Sequence, residues 1–249
     1  MKLKVTFQTN TGLQREHNED TVLICGQVIN QSMPEPVTRY FETAGAESWA
    51  VSDGLGGHAC GALASYTLCS TLATCNLSVA PDLQSVLDRC QSRLAELMHN
   101  RPETHGLGAT LAGVYEQEGA LHAFNIGDSR IYHWQFGYLR QVSIDDVFGY
   151  DDDDPPELTG LDGHKLIAAL GVEPVNNAPY AHYRPIRFGV TDRLLICTDG
   201  VTDIVSASEF EANMMSGDTE QVGEWLSARI KAGGAHDNFS FILIERLDD

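Results

Sequence analysis

Leu194-Leu195-Ile196-Cys197-Thr198-Asp199-Gly200 is an apolar run that stops on an aspartate followed by glycine. Trp49-Ala50-Val51-Ser52-Asp53-Gly54 repeats the arrangement early in the chain, and Phe124-Asn125-Ile126-Gly127-Asp128 varies it. Asp237 stands just before a further run that starts near Phe239. Each run is short, apolar or alternating, and rich in β-branched or aromatic residues, as strands are. Taken singly, an Asp-Gly pair reads as a turn. Four aspartates at strand ends, with Glu19-Asp20 upstream, point to carboxylates gathered at one edge of the sheets. Two carboxylates about 4 Å apart repel by about 4 kcal/mol at an effective dielectric of about 20. Such a cluster persists only with bound cations or raised pKa values. Oxygen-only ligands suit hard cations such as magnesium and manganese. Gly54, having no Cβ, lets its carbonyl turn toward the same ion.

Working outward, strands are expected at Trp49–Ser52, Ala120–Ile126, Arg193–Thr198 and Phe239–Glu245, with a hairpin over Ile131–Val142 turning near Gly137. In Pro81–His99 the residues Leu83, Val86, Leu87, Cys90, Leu94, Leu97 and Met98 fall on one helical face. Cys60–Cys75, Ser208–Met215 and Glu220–Lys231 read as further helices, the last ending before Gly233-Gly234. Strands and helices do not alternate one for one, so a parallel βαβ fold is not the natural solution. Antiparallel sheets with helices outside them, an α+β class, fit better.

The 249 residues with 43% hydrophobic content suffice for one sizeable core, and one domain over residues 1–249 is expected. The six cysteines are scattered without a CxxC pair, which predicts reduced thiols rather than a disulfide framework or a zinc site. A net charge of −19 argues against nucleic acid, whose phosphates want a basic face. Met1–Thr11 has no apolar run of signal-peptide length, and no stretch is long enough to span a bilayer. No membrane association, a cytoplasmic location and a monomer are expected.

The ordered motifs resemble those of the metal-dependent protein phosphatases, the PPM or type 2C family, in particular its bacterial branch. Arg15-Glu16-His17-Asn18-Glu19-Asp20 resembles the opening motif, and Asp53-Gly54-Leu55-Gly56-Gly57-His58, continued by Gly61 and Ala64-Ser65, resembles DGxGGH. Gly106-Leu107-Gly108-Ala109-Thr110-Leu111 resembles GxGTT, and Gly127-Asp128-Ser129-Arg130 matches GDSR. Ala169-Leu170-Gly171, Leu194–Asp203 and Asp237-Asn238 complete the series. The resemblance implies a four-layer αββα sandwich with two central antiparallel sheets, and hydrolysis of phosphoserine and phosphothreonine by a bimetal-activated water. It implies that Asp53 bridges two ions of magnesium or manganese, that Asp199 and Asp237 complete one site, and that the Gly54 carbonyl serves the other. Glu19 and Asp20 would support the site, Asp128 matches a third-metal aspartate, and Arg15 matches the residue that holds the substrate phosphate. Arginine suits that task because its planar fork meets phosphate oxygens bidentately. The implied partners are phosphorylated proteins, substrates of a serine/threonine kinase.

Three departures stand out, and the stretch Leu55–His58 adds a fourth difference. Ala109 replaces the first threonine of GTT, and Asp145-Asp146 stands where many members have Asp-His. A flap-like insertion, at about residues 145–168, carries Asp151-Asp152-Asp153-Asp154, which would favour substrates with basic residues near the phosphosite. Leu55 follows Asp53-Gly54 where some relatives carry a histidine, and His58 reads as structural. The rivals are a binding module that has lost catalysis and a phosphatase for small phosphoesters. Nothing resembles a Gly-rich nucleotide cradle.

Overall fold

Strands form where apolar runs stop at the aspartates, and every strand pair is antiparallel. The computed structural model describes residues 1–45, 47–56, 59–75, 77, 83–147, 166–172 and 180–248. In chain order β1 (Lys2–Asn10), β2 (Thr21–Ile24), β3 (Gln27–Ile29), β4 (Val37–Glu42), β5 (Ser48–Ser52) and β6 (Gly54–Leu55) precede helices α1 (Ala59–Ala73) and α2 (Leu83–Asn100). Next come β7 (Gly108–Ala109), β8 (Leu111–Gln117), β9 (Ala120–Ile126), β10 (Arg130–Gln135), β11 (Tyr138–Gln141), β12 (His182–Ile186) and β13 (Arg193–Cys197). Helices α3 (Asp199–Thr202), α4 (Ala207–Ser216) and α5 (Thr219–Ala232) lead to β14 (Phe239–Arg246).

One six-stranded sheet has the order β11-β10-β13-β14-β1-β4 and the other β12-β9-β8-β5-β2-β3, with a small β6-β7 pair beside them. Their facing sides bury Leu3, Val5, Phe7, Val22, Trp49, Val51, Val114, Ile196 and Ile242. On the outside of the second sheet α1 and α2 cover Leu23, Ala50, Leu111 and Phe124 with Leu68, Leu72, Val86, Leu87 and Leu94. On the outside of the first, α4 and α5 cover Leu195, Phe241 and Leu243 with Phe210, Met214, Val222, Leu226 and Ile230. The result is the expected αββα sandwich. Each such side chain contributes about 1.5–3 kcal/mol by leaving water.

The local signals explain most boundaries. α4 begins at a capping box: Ser206 Oγ accepts from the Glu209 amide while Glu209 accepts from the Ser206 amide. Asp218 caps α5 by accepting from the amides of Glu220 and Gln221 at 3.0 Å. Such caps are worth about 1 kcal/mol each, and they start both helices a residue earlier than apolar spacing suggests. The β10–β11 hairpin turns on Phe136 and Gly137, both with positive φ.

β1 was not among the expected strands. Its face toward α5 carries Lys4, Thr6 and Gln8, polar yet buried, so the sequence lacks an apolar run there. The helix supplies the compensation, since Lys4 Nζ reaches Asp218 at 2.8 Å and Glu220 at 3.2 Å. All six thiols are free, and burial pushes Cys25, Cys90 and Cys197 up to about 12, far from thiolate chemistry. Of the expected flap, Val147 pairs with Leu166, while Asp151–Asp154 lie outside the described residues. Among the described residues no helix is long and apolar enough to cross a membrane.

Candidate metal centre

Asp53 follows β5 in the second sheet, and Asp199 follows β13 in the first. The stacking of the sheets brings these two strand ends together. The two carboxyl groups lie close enough to act on each other, and both are held above the usual carboxylate range. Burial, and then the charges of Asp199, Asp20 and Asp128, hold the Asp53 carboxyl well above the usual carboxylate range. Burial raises Asp199 as well, with Asp203 the largest charge acting on it. Asp128, carried past β9 by Gly127, is pushed up to about 7 by burial and by Asp199. Asp20, wholly buried ahead of β2, is pushed up to about 7 by burial against the opposing hydrogen bond from Ser240, with Asp199 adding to the rise.

Hydroxyl groups fix these carboxylates. Thr198 Oγ1 and Ser240 Oγ donate to Asp20 Oδ2 at 2.9 and 2.7 Å, so Asp20 ties β13 to β14. Thr110 clamps Asp53: its Oγ1 accepts from the Asp53 amide at 3.0 Å, and its amide donates to the Asp53 carbonyl at 2.9 Å. Ser129, beside Asp128, meets the same hydroxyl at 2.7 Å. Ala109, at the first threonine position of GxGTT, leaves this clamp intact.

Two glycines permit the close approaches. A Cβ on Gly54 would lie 2.1 Å from the Gly61 carbonyl oxygen and 2.7 Å from that of Glu19. A Cβ on Gly200 would lie 1.9 Å from the Asn238 carbonyl oxygen. Gly54 therefore sits between α1 and the Glu19 segment, and Gly200 lets the Asp199 turn abut the Asp237-Asn238 turn.

Asp237 is engaged differently. Arg15 Nη2 donates to its Oδ2 at 2.7 Å, and that bond is the main reason the guanidinium pKa rises. Glu19 adds a smaller attraction to the same guanidinium. Asn238 pins the same region: it donates to the carbonyls of Thr11 and His17 and accepts from the Glu19 amide. Asp146, in the expected histidine position, accepts from the Gly127 amide at 2.8 Å and faces His182 Nε2 at 2.9 Å. His182, from β12, is thus the histidine that meets the carboxylate at this position.

Asp20, Asp53, Asp128 and Asp199 thus fall in one field, Gly54 and Glu19 adjoin them, and Arg15 closes on Asp237. His58 lies outside the described residues. Among the described residues no three His, Cys, Asp or Glu side chains already converge as a finished ligand set. The donor chemistry nevertheless fits hard divalent cations: the groups are all oxygen, and their raised pKa values mark charge awaiting neutralisation. Thr110, Thr198, Ser240 and Asn238 were not singled out from sequence. They entered only as members of longer stretches: Thr110 in GxGTT, Thr198 in Leu194–Asp203, Asn238 in Asp237-Asn238 and Ser240 in the strand Phe239–Glu245.

The fold and the site define a class, a double-sheet sandwich whose strand ends present aspartates to divalent cations. The chain belongs to the protein phosphatase 2C family, whose model matches residues 37–230. It is similar to the serine/threonine protein phosphatase PstP of Mycobacterium tuberculosis, at 28% identity over 99% of this chain and 45% of that protein. The chain therefore spans less than half the length of this relative. A serine/threonine phosphatase, stp, of Listeria monocytogenes is 27% identical over 96% of this chain and 94% of its own length. The crystal structure of the PstP catalytic domain in complex with two manganese ions superposes with a TM-score of 0.76, at 27% identity and full coverage of both chains.

Proposed function

We propose that this chain is a metal-dependent protein phosphatase acting on phosphoserine and phosphothreonine. The observation that carries this reading is the meeting of Asp53 and Asp199, from different sheets, inside the field of Asp20 and Asp128. That is a costly arrangement for a protein with no cation to hold. Asp53, Asp199, Asp237 and the Gly54 carbonyl would hold two magnesium or manganese ions, with Asp128 toward a third and Glu19 and Asp20 behind them. Such ions lower the pKa of a bound water and offset phosphate charge.

The chain's own groups do the rest. Thr110 and Ser129 fix the Asp53 backbone and the Asp128 turn, so the carboxylates need not reorganise during reaction. Arg15 is half exposed and, among the described residues, spends only Nη2 on Asp237, so its fork can receive phosphate oxygens. None of the roles requires a nucleophilic serine or cysteine. The substrates are read as phosphoproteins made by a serine/threonine kinase, since the relatives are serine/threonine phosphatases. A single catalytic domain, monomeric and cytoplasmic, completes the proposal.

The test is hydrolysis of an aryl phosphate and of a phosphothreonine peptide with manganese and with chelator. Turnover that needs the metal is expected for both. Turnover indifferent to chelator would sink the metal mechanism, and no turnover with any divalent metal would favour the phosphoprotein-binding module.

A further inference from the structure

Away from the carboxylates, the two sheets part along one lateral edge. Strand β11 ends the first sheet and β12 ends the second. Inward-facing positions follow by alternation from core residues Ile131, Val142 and Ile186. They are His133 and Gln135 on β10, Tyr138 and Arg140 on β11, and His182 and Arg184 on β12. Where the rest of the inter-sheet space is apolar, this edge is cationic and open. A cavity of about 450 Å³ is lined by Arg140, Arg184, Arg187, His133, Gln135 and Tyr138, among others.

The charges here lack the partners found elsewhere. Lys4, Arg130, Arg193 and Arg229 each face a carboxylate within 3.2 Å. Arg140, Arg184 and Arg187 are exposed and form no ion pair among the described residues. The nearby carboxylate, Asp192, is buried and its Oδ2 already receives His133, Gln135 and the Gly189 amide. Three unpaired arginines on one groove are unexpected in a chain of net charge −19.

The groove extends along β9 toward Asp128. A second cavity, of about 240 Å³, shares Val142 and Arg184 with the first and continues to Asn125, Ser143, Ile144 and His182. Asn125 lies three residues before Asp128, and Ala123, opposite Arg184, lies five before it. Five residues of strand span about 16 Å, and an extended peptide covers the same distance in about five residues.

We propose that this groove binds an acidic stretch of the phosphoprotein substrate, about five to seven residues from the phosphorylated side chain. Arginine forks suit carboxylates and phosphates bidentately, and a partly walled groove strengthens such pairs over free surface ones. The rival is edge protection, because inward-pointing charges also keep edge strands from pairing with other chains. The inference rests on the phosphatase reading for its substrate, though not for the binding itself.

The test compares phosphothreonine peptides bearing two glutamates five to seven residues to either side of the phosphosite with glutamine versions, using the manganese-loaded full chain. The acidic peptide is expected to show a KM about five- to tenfold lower for one placement. The preference should vanish in the R140Q/R184Q variant and shrink in high salt. Equal KM values for both peptides in both placements, or a preference that survives R140Q/R184Q, would overturn it. So would a variant that merely aggregates while keeping the preference. Fluorescence anisotropy of an unphosphorylated acidic peptide in chelator is the second arm and needs no turnover. Binding weakened by R140Q/R184Q supports the groove even if no phosphate is released. Absent or unchanged binding counts against it.

Discussion

The carboxylate mouth and the arginine groove are both inter-sheet, yet they hold opposite charge in opposite ways. At the mouth, Asp20, Asp53, Asp128 and Asp199 sit within a shared field, each fixed by hydroxyls or by turns against neighbouring backbone. In the groove, Arg140 and Arg184 on edge strands and Arg187 just past β12 are exposed. Charge at the mouth is therefore expensive and immobile, as a reacting centre requires. Charge in the groove costs the fold almost nothing, so it can be altered without disturbing the mouth.

The largest effect should come from breaking the mouth itself. Asp53→Asn is expected to lower aryl phosphate turnover by about a thousandfold or more, read as kcat with saturating manganese. Gly200→Ala tests positioning rather than ligand charge. Its Cβ would collide with the Asn238 carbonyl, and a displaced Asp199 should lower turnover by about a hundredfold while far-UV circular dichroism stays native.

Proton linkage gives the next prediction. Asp20 and Asp128 hold protons up to about pH 7 when folded, against an ordinary value of 3.8. Between about pH 4 and 7 the folded chain therefore binds protons that the unfolded chain has released, and these groups make stability fall as pH rises. Urea unfolding in chelator should show a loss on the order of a few kcal/mol across that window, and manganese at pH 7 should reverse it. A chelated protein equally stable at pH 5 and pH 7 would contradict the shared field. The smallest effect belongs to the groove: R140Q/R184Q should change unfolding stability by about 0.5 kcal/mol or less.

The same contrast explains what could be read from sequence. β5, β9 and β13 are apolar runs followed by aspartate and β14 is one preceded by it, so both the strands and the mouth carboxylates announced themselves. β12, His182–Ile186, has a proline and an arginine within five residues, which no strand pattern selects, because as an edge strand it need not be apolar. The groove was invisible for that reason. Partners far apart in sequence were hidden too. The Arg15–Asp237 pair and the Asn238 hydrogen bonds to Thr11 and His17 join residues with no local signature. Thr110 was quoted only as part of a motif, since a single hydroxyl gives no periodicity to detect.

The position of β14 has one more consequence. It pairs with β1 on one side and β13 on the other, and nothing else in the first sheet joins β4-β1 to β13-β10-β11. A growing chain can assemble two fragments of that sheet but cannot seal them until Phe239–Arg246 has been made. Joining strands so distant in sequence is slow, because the loop entropy is lost before the contacts form. Amides of β1 and β13 should gain protection from hydrogen exchange together, in step with β14. Because Asp237 leads directly into that strand, the carboxylate centre would be finished by the same event that closes the sheet.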